Sequence, residues 1–259
     1  MKRRVFLGAV GSLGSLSALG YATRPSVERL EVRYWLTETA ARYDVAGRVD
    51  PYLEAAFDLE GRGVDVSYGG EVSTSTEDGA AVTRGGEWPR RVTAGAVRDD
   101  GIDPVSDANL LITDGQTDRT PTGYGIPHVA SVGGASRLAE LEPVPSPPEV
   151  VPYSPASWAV QVAIHEVGHS LGLTHDHGHA VRSGDAVVTT PMLSSYAWDP
   201  EFEIDGGRTS CGSSPVPMAK PETIELQLTF SSCAKRELEA YDGGFTPRVR
   251  RRTGPDLRG

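Results

Sequence analysis

The most informative segment of the chain is His165-Glu-Val-Gly-His-Ser-Leu-Gly-Leu-Thr-His175. Five of the six histidines in the 259 residues lie in this segment or directly after it, because His177 and His179 follow. His165 and His169 are four residues apart, so a helix would place them one turn apart on the same face. Two imidazoles at that spacing can bind one zinc ion. The segment therefore predicts a helix that carries part of a metal site.

The residues around this segment predict where its helix begins and ends. We expect the first turn near Ser154 or Ser157. The apolar face that follows is formed by Ala159, Val162, Ala163, Val167 and Leu171. Glycine adopts the left-handed conformation at little cost, so Gly172 would end the helix and reverse the chain. The reversed chain can then bring His175 to the same metal as a third ligand.

The expected ligand set is typical of a catalytic zinc site. Three histidines leave the fourth position of a tetrahedral zinc ion open to water. Zinc lowers the pKa of that water, and Glu166, which need not be a ligand, can accept the proton. The protonated Glu166 can then give the proton to a departing amine, so that one carboxylate acts first as base and then as acid. We expect one zinc ion bound by His165, His169 and His175, with Glu166 as the catalytic residue.

The motif formed by these residues resembles the signature of the metzincin clan of zinc endopeptidases, H-E-x-x-H-x-x-G-x-x-H. His165, Glu166, His169, Gly172 and His175 meet it position by position. The resemblance implies an α+β fold in which an upper subdomain carries a twisted mixed sheet and the active-site helix. It further implies a smaller, irregular lower subdomain with a C-terminal helix, and a cleft between the two.

The resemblance also implies two features outside the motif. Metzincins have a methionine turn beneath the metal, for which Met192 is the candidate and Met218 the alternative. Met192 follows His175 by 17 residues. Metzincins bind extended peptides alongside an edge strand by strand addition. That strand is expected within Gly123 to Val132, where Pro127 argues against a central position in a sheet.

Periodicity and turn residues predict the other elements. Strands are expected at Leu30 to Leu36, Val64 to Tyr68 and Asn109 to Thr113. Two further helices are expected, at Val49 to Leu59 and at Glu222 to Tyr241. Leu141 to Pro155 contains six prolines and is expected to be an extended surface loop. Residues 69 to 107 give no clear assignment.

The N-terminus predicts export. Lys2, Arg3 and Arg4 precede an apolar run that is too short to span a membrane comfortably, which is typical of a signal peptide. The arginine pair resembles the twin-arginine export signal. We therefore expect a signal at 1–22, an upper catalytic subdomain at 26–172, a lower one at 173–245 and a basic mobile tail at 246–259. An uncleaved signal that acts as a membrane anchor is the alternative.

The composition is acidic and poor in lysine. The formal net charge is -10, from 35 acidic and 25 basic residues, and only Lys2, Lys220 and Lys235 are lysines. Such a chain repels phosphate backbones, so nucleic acid is not an expected partner. The usage resembles that of secreted proteins from saline habitats, and a codon bias that favours arginine is the alternative.

The remaining cysteines and histidines are expected to have structural or surface positions. Cys211 and Cys233 are the two cysteines of the chain, and we expect them to form a disulfide bond if the protein is exported; two buried thiols are the alternative. His177 and His179 are expected to be exposed loop residues. His128 is expected to have a packing or surface role.

Taken together, the sequence predicts a secreted or cell-surface zinc endopeptidase. We expect a monomer that cleaves proteins or peptides bound in extended conformation. One alternative is a zinc-stabilised cell-surface binding protein without catalytic turnover. A third hypothesis is a zinc hydrolase that acts on a non-peptide amide.

Overall fold

A computed structural model describes residues 29–97, 101–115, 123–193 and 223–243. Within these ranges the chain has a mixed α+β fold, as predicted. It contains two sheets, of which only the first was expected. No helix among the described residues is long and apolar enough to cross a membrane. The predicted signal, Cys211, Met218 and the basic tail lie outside the described residues.

The first sheet has five strands in the order β2-β1-β3-β5-β4. They are β1 (Arg29–Thr37), β2 (Gly63–Val72), β3 (Ala108–Ile112), β4 (Tyr124–Ile126) and β5 (Val129–Val132). Strands β2, β1, β3 and β5 are parallel, and β4 pairs antiparallel with β5 at one edge. The three predicted strands correspond to β1, β2 and β3 and are confirmed.

Helices cover both faces of this sheet. They are α1 (Asp50–Phe57), α2 (Gly79–Arg84), α3 (Glu87–Val97), α4 (Ala135–Leu138) and α5 (Pro155–Ser170). Leu110 and Ile112 pack with α1 and α5, whereas Leu111 packs on the other face with α2 and α3. The two clusters are separate because successive side chains of a strand point to opposite faces of the sheet. The predicted helix at Val49 to Leu59 is confirmed as α1.

The expected single edge strand at Gly123 to Val132 is wrong in part, because the segment folds as the hairpin β4–β5. Pro127 and His128 form its turn, and His128 is the one non-glycine residue in the described ranges with a left-handed backbone, at φ 69. Proline has no N–H for a continuous strand, so the chain reverses there. The edge position therefore holds for β4, while β5 lies between β3 and β4.

The second sheet has four strands in the order β6-β9-β8-β7. They are β6 (Val150–Pro152), β7 (Ala180–Ser183), β8 (Ala186–Thr189) and β9 (Thr223–Gln227). Strands β8 and β9 are parallel, and the other pairs are antiparallel. Strand β6 corrects the expected loop at Leu141 to Pro155. Its position at the edge of the sheet tolerates Pro152.

The expected C-terminal helix at Glu222 to Tyr241 is confirmed as the shorter helix α6 (Ser232–Glu239), but the first half of the range is wrong, because it forms strand β9. Leu226 and Leu228 are buried at alternate positions, which is the period of a strand. The Ser231 hydroxyl accepts the backbone N–H of Ala234 at 3.1 Å and thereby caps α6. Cys233 lies in α6, and its predicted bridge to Cys211 stays a prediction.

Candidate metal centre

Helix α5 begins and ends at the residues that the sequence indicated. Ser154 is its N-cap, and the Ser154 hydroxyl accepts the backbone N–H of Ser157 at 3.0 Å. The backbone N–H of Ser154 donates in turn to the Ser157 hydroxyl at 2.8 Å, which completes a capping box. Beyond Ser170, Gly172 is left-handed with φ 93, and the Leu173 N–H closes the turn on the Gly168 carbonyl at 2.9 Å. The predicted ends of the helix are confirmed.

Three of the histidines converge at the C-terminal end of α5. His165 and His169 lie on the helix, and His175 lies on a short 3-10 turn that spans His175–His177. The Nε2 atom of His175 is 3.2 Å from Nε2 of His169 and 3.3 Å from Nε2 of His165. These three residues form a group whose geometry could hold a metal ion.

Backbone carbonyls fix the tautomers of the two helical histidines. Nδ1 of His165 lies 2.6 Å from the Pro191 carbonyl oxygen, and Nδ1 of His169 lies 2.8 Å from that of Leu173. A carbonyl oxygen can only accept, so each Nδ1 carries the hydrogen and donates it. Each Nε2 is then left with a free lone pair. Such second contacts are typical of histidines that bind a metal.

Loss of contact with solvent favours the neutral form of the three imidazoles. It lowers the pKa of His165 to about 3, and the neighbouring His169 adds to the effect. It also lowers the pKa of His169 and of His175. Neutral imidazole is the form that binds a metal.

The three nitrogens fit a zinc ion. Zinc binds histidine at 2.0–2.1 Å in tetrahedral geometry, which corresponds to a separation of about 3.3 Å between ligand nitrogens. The observed separations from His175 Nε2, 3.2 and 3.3 Å, match this value. Lone pairs that face each other so closely repel unless a cation lies between them. The donor set therefore favours zinc bound by His165, His169 and His175.

Glu166 lies beside this group and is 5% exposed. Burial disfavours its charged form and raises its pKa to about 8. A hydrogen bond from the backbone N–H of Gly125 and the positive charge of Arg84 act in the opposite direction. Glu166 is thus a buried carboxyl group in contact with the edge strand of the first sheet.

Two glycines allow strand β4 to lie directly against α5. A Cβ at Gly125 would overlap the Glu166 carbonyl oxygen and come within 2.7 Å of His169 Cβ. A Cβ at Gly123 would lie 2.6 Å from Glu166 Cγ. The sequence reasoning missed this contact. The spacing of Gly123 and Gly125 could have indicated it, because residues two apart in an extended chain lie on the same face.

The opposite side of α5 packs against the predicted methionine turn. Met192 is 1% exposed, and a Cβ at Gly168 would lie 2.6 Å from its sulfur. Gly168 lies on α5 between His165 and His169. The preceding residue, Pro191, provides the carbonyl that orients His165. The structure thus brings Met192 to the helix that carries the metal group.

His177 and His179 are half-buried, so the expectation that they are exposed loop residues is wrong. Nδ1 of His177 accepts the backbone N–H of Thr174 at 2.9 Å and caps the turn that carries His175. The backbone N–H of His179 donates to the Thr190 hydroxyl at 2.9 Å, and the His179 carbonyl accepts the backbone N–H of Thr190 at 3.0 Å. Both histidines stabilise the segments around the metal group without joining it.

His128 and Gln161 connect α5 to the two sheets. The backbone N–H of His128 donates to the Ser170 carbonyl at 3.0 Å and ties the hairpin turn to the end of α5, while the expected packing or surface role of its side chain stays a prediction. Gln161 is 7% exposed, and its amide donates to the carbonyls of Thr189 at 3.0 Å and Gln227 at 2.9 Å. Gln161 was not identified from the sequence, although it is a polar residue one turn before His165 on a buried helix.

Comparisons with known proteins give structural likenesses only. No protein-family model matches the chain, and no curated protein matches it in sequence. The chain is similar to the structure of archaemetzincin from Methanopyrus kandleri, at 20% identity over 58% of this chain and 78% of that one, with a TM-score of 0.36.

Two further solved structures are similar to the chain. For OgpA from Akkermansia muciniphila, identity is 15% over 87% of this chain and 64% of that one, with a TM-score of 0.41. For metalloproteinase-II from Bacteroides fragilis, identity is 16% over 58% of this chain and 45% of that one, with a TM-score of 0.32. The matches thus span less than two thirds of the length of these two proteins.

Proposed function

We propose that the chain is a zinc-dependent endopeptidase that hydrolyses proteins or peptides. The observation that carries the proposal is the convergence of three neutral imidazole nitrogens beside a buried carboxyl group. His165, His169 and His175 would hold a single zinc ion, which when bound supplies a Lewis acid that lowers the pKa of a water molecule. This donor set with one position left open is typical of catalytic zinc sites.

Glu166 moves the proton in this proposal. Its carboxylate accepts a proton from the attacking water and then donates it to the nitrogen of the departing amine. Burial raises the pKa of Glu166, which suits the protonated group to return its proton to the departing amine. The charge of a bound zinc ion would act in the opposite direction and favour the carboxylate that accepts the proton from water. The Gly125 N–H that donates to the carboxylate fixes its orientation.

The substrate is proposed to bind as an extended strand along β4. Strand β4 is the last strand of the first sheet, and its glycines lie against Glu166 and His169. A peptide that adds to a sheet edge gains main-chain hydrogen bonds, which suits substrates of varied sequence. The peptide bond to be cleaved would then pass close to Glu166.

We further propose that the protein is a monomer exported by the twin-arginine route to the medium or the cell surface, with no nucleic acid partner. The basic N-terminus with its arginine pair and the acidic composition support this. Mass spectrometry of the protein recovered from cell fractions tests it. Retention in the cytoplasm would contradict it.

Hydrolysis of a quenched-fluorescent peptide library, together with zinc stoichiometry, tests the activity. We expect one zinc per chain, and cleavage that stops on chelation. The variant Glu166→Gln should bind the same zinc but cleave 10²- to 10⁴-fold more slowly, which is about the contribution of a general base. Glu54→Gln, a change at an exposed residue of α1, is the matched control and should retain full activity.

Two outcomes would overturn the proposal. If the zinc-loaded protein cleaves no peptide, the cleft binds a ligand without turnover or acts on a different amide. If Glu166→Gln cleaves as fast as the parent, Glu166 does not have the role assigned to it.

A further inference from the structure

Arg84 stands out near the edge strand of the first sheet. It is the last residue of α2, and its guanidinium carbon lies 4.6 Å from the centre of the Tyr124 ring. Tyr124 is the first residue of β4 and pairs with Ser131, whose hydroxyl contacts Thr83 of α2. The ring of Tyr124 therefore lies on the α2 face of the sheet, opposite to α5. A guanidinium above an aromatic ring is a favourable cation–π contact.

The guanidinium of Arg84 is exposed and has neither an ion pair nor a hydrogen bond within the described ranges. Five other arginines in these ranges are paired with carboxylates, namely Arg29, Arg33, Arg48, Arg91 and Arg137, and Arg84 differs from the unpaired ones in lying over a residue of the edge strand. The carboxylates of α2 and α3 are engaged elsewhere. Asp78 accepts the N–H of Ala81 at 3.0 Å, and Glu87 accepts the N–H of Ser75 at 3.1 Å.

The position of Arg84 relates it to the proposed catalytic cleft. It lies over the ring of Tyr124, and the two neighbours of Tyr124 in sequence, Gly123 and Gly125, contact Glu166. Gly123, directly before β4, and Gly125 within it face α5, whereas Tyr124 faces α2, because successive residues of an extended chain alternate between faces. A substrate strand added to β4 alternates in the same way. Side chains that point to the α5 face approach Glu166, and their neighbours in sequence approach Tyr124 and Arg84.

We propose that Arg84 and Tyr124 form a subsite for a substrate carboxylate, so that the enzyme prefers peptides with Asp or Glu close to the scissile bond. The planar guanidinium of arginine binds a carboxylate through two parallel hydrogen bonds. The Tyr124 ring holds that plane in place, which reduces the side-chain freedom lost on binding. This inference rests on the proposed peptidase function.

Paired peptides that differ in one residue, Glu or Gln, at each position within three residues of the cleavage site test the subsite. For the parent, kcat/KM at one position should be about tenfold or more higher with Glu, chiefly through KM, as a charge-assisted hydrogen bond predicts. Arg84→Gln should abolish this ratio, and Arg84→Lys should retain part of it. Arg84→Glu should instead favour a Lys peptide. Arg182→Gln, at an exposed residue of β7, is the control and should keep the parent ratio.

The outcomes separate this inference from the proposed function. Equal cleavage of the Glu and Gln peptides by the parent would overturn the subsite but leave the peptidase intact. An equal loss with both peptides in Arg84→Gln would show that Arg84 only supports β4. If no peptide is cleaved, the peptidase proposal fails. The subsite can still be tested, because the affinity of the Glu166→Gln variant for the Glu and Gln peptides can be measured by fluorescence anisotropy. Equal affinity for the Glu and Gln peptides would then overturn it.

Discussion

Helix α5 has two contrasting contacts beside the metal group. On one side it meets the backbone of Gly123 and Gly125, at strand β4. On the other it meets the carbonyl oxygen of Pro191 and the thioether of Met192. The first contact is close because glycine adds no side chain, and it places the backbone of β4 directly against Glu166. The second contact fills space and fixes the ring of His165. The difference indicates that the β4 side positions Glu166 through a close backbone contact, whereas the Met192 side orients His165 through packing and a carbonyl oxygen. Each side can be tested separately.

The largest expected effect is a loss of stability in acid, which acts through His165 on the Met192 side. The folded protein holds the pKa of His165 at about 3, below its ordinary value of 6.5, because the ring is buried. Between these values the unfolded chain binds a proton that the folded chain does not, so the free energy of unfolding falls as pH decreases. The stability that depends on neutral His165 is fully present above pH 6.5 and lost as pH falls toward 3.

Urea unfolding of the chelator-treated protein between about pH 4 and pH 7 measures this dependence. The variant His165→Asn should show a shallower slope than the parent. A parent curve that is flat over this range, or equal slopes for both proteins, would contradict the assignment of the effect to His165.

Met192→Ala should give the next largest effect. Removal of a buried methionine side chain leaves a cavity and costs about 2–5 kcal/mol of unfolding free energy. Met192→Leu keeps the volume and should cost less than about 1.5 kcal/mol. Thermal or urea unfolding of the two variants gives the comparison, and zinc affinity should fall with Met192→Ala because Pro191 is adjacent. Equal stability of the two variants would show that this side does not depend on packing.

The sequence predicted the part of the site that depends on local spacing. Ser154, the two helical histidines and Gly172 follow from helix periodicity and capping, which involve neighbours in the chain. The hairpin turn at His128 was not predicted, because it is stabilised by a hydrogen bond from the backbone N–H of His128 to the carbonyl of Ser170, which is distant in sequence. Local rules carry no information on such contacts.

The strands of the second sheet show the same limit. β6 is three residues long, and it forms because it pairs with β9, 70 or more residues away. β9 has an alternating pattern in Ile224, Leu226 and Leu228, but the polar residues between them also suit a helix. Whether the segment forms a strand or a helix depends on its pairing partners, β6 and β8.

Gly125→Ala tests the β4 side, with an effect on activity and little effect on the metal. The new Cβ would overlap the Glu166 carbonyl, a backbone atom that cannot move aside easily. Displacement of β4 by about 1 Å should lower kcat/KM about 100-fold. Zinc stoichiometry should stay that of the parent although the new Cβ also approaches His169, because β4 is an edge strand that can shift more easily than the buried helix α5. Ile126→Val, in the same strand, is the control; a loss of zinc in Gly125→Ala but not in the control would show that the two sides are not separable.

Gly172→Ala should have the smallest effect, and it shows whether the end of α5 belongs to the Met192 side. Gly172 has φ 93 with no atom within 4 Å of a built Cβ, so the cost of alanine is conformational and not steric. A left-handed alanine costs about 1 kcal/mol of unfolding free energy. The turn after Gly172 positions Leu173, whose carbonyl accepts from His169, and also leads to His175. If this end of α5 only closes the helix, the loss of zinc affinity will be no larger than the small loss of unfolding free energy. If it orients the ligands as Pro191 does, zinc affinity will fall by more than stability, and competition with a chromogenic chelator will detect it.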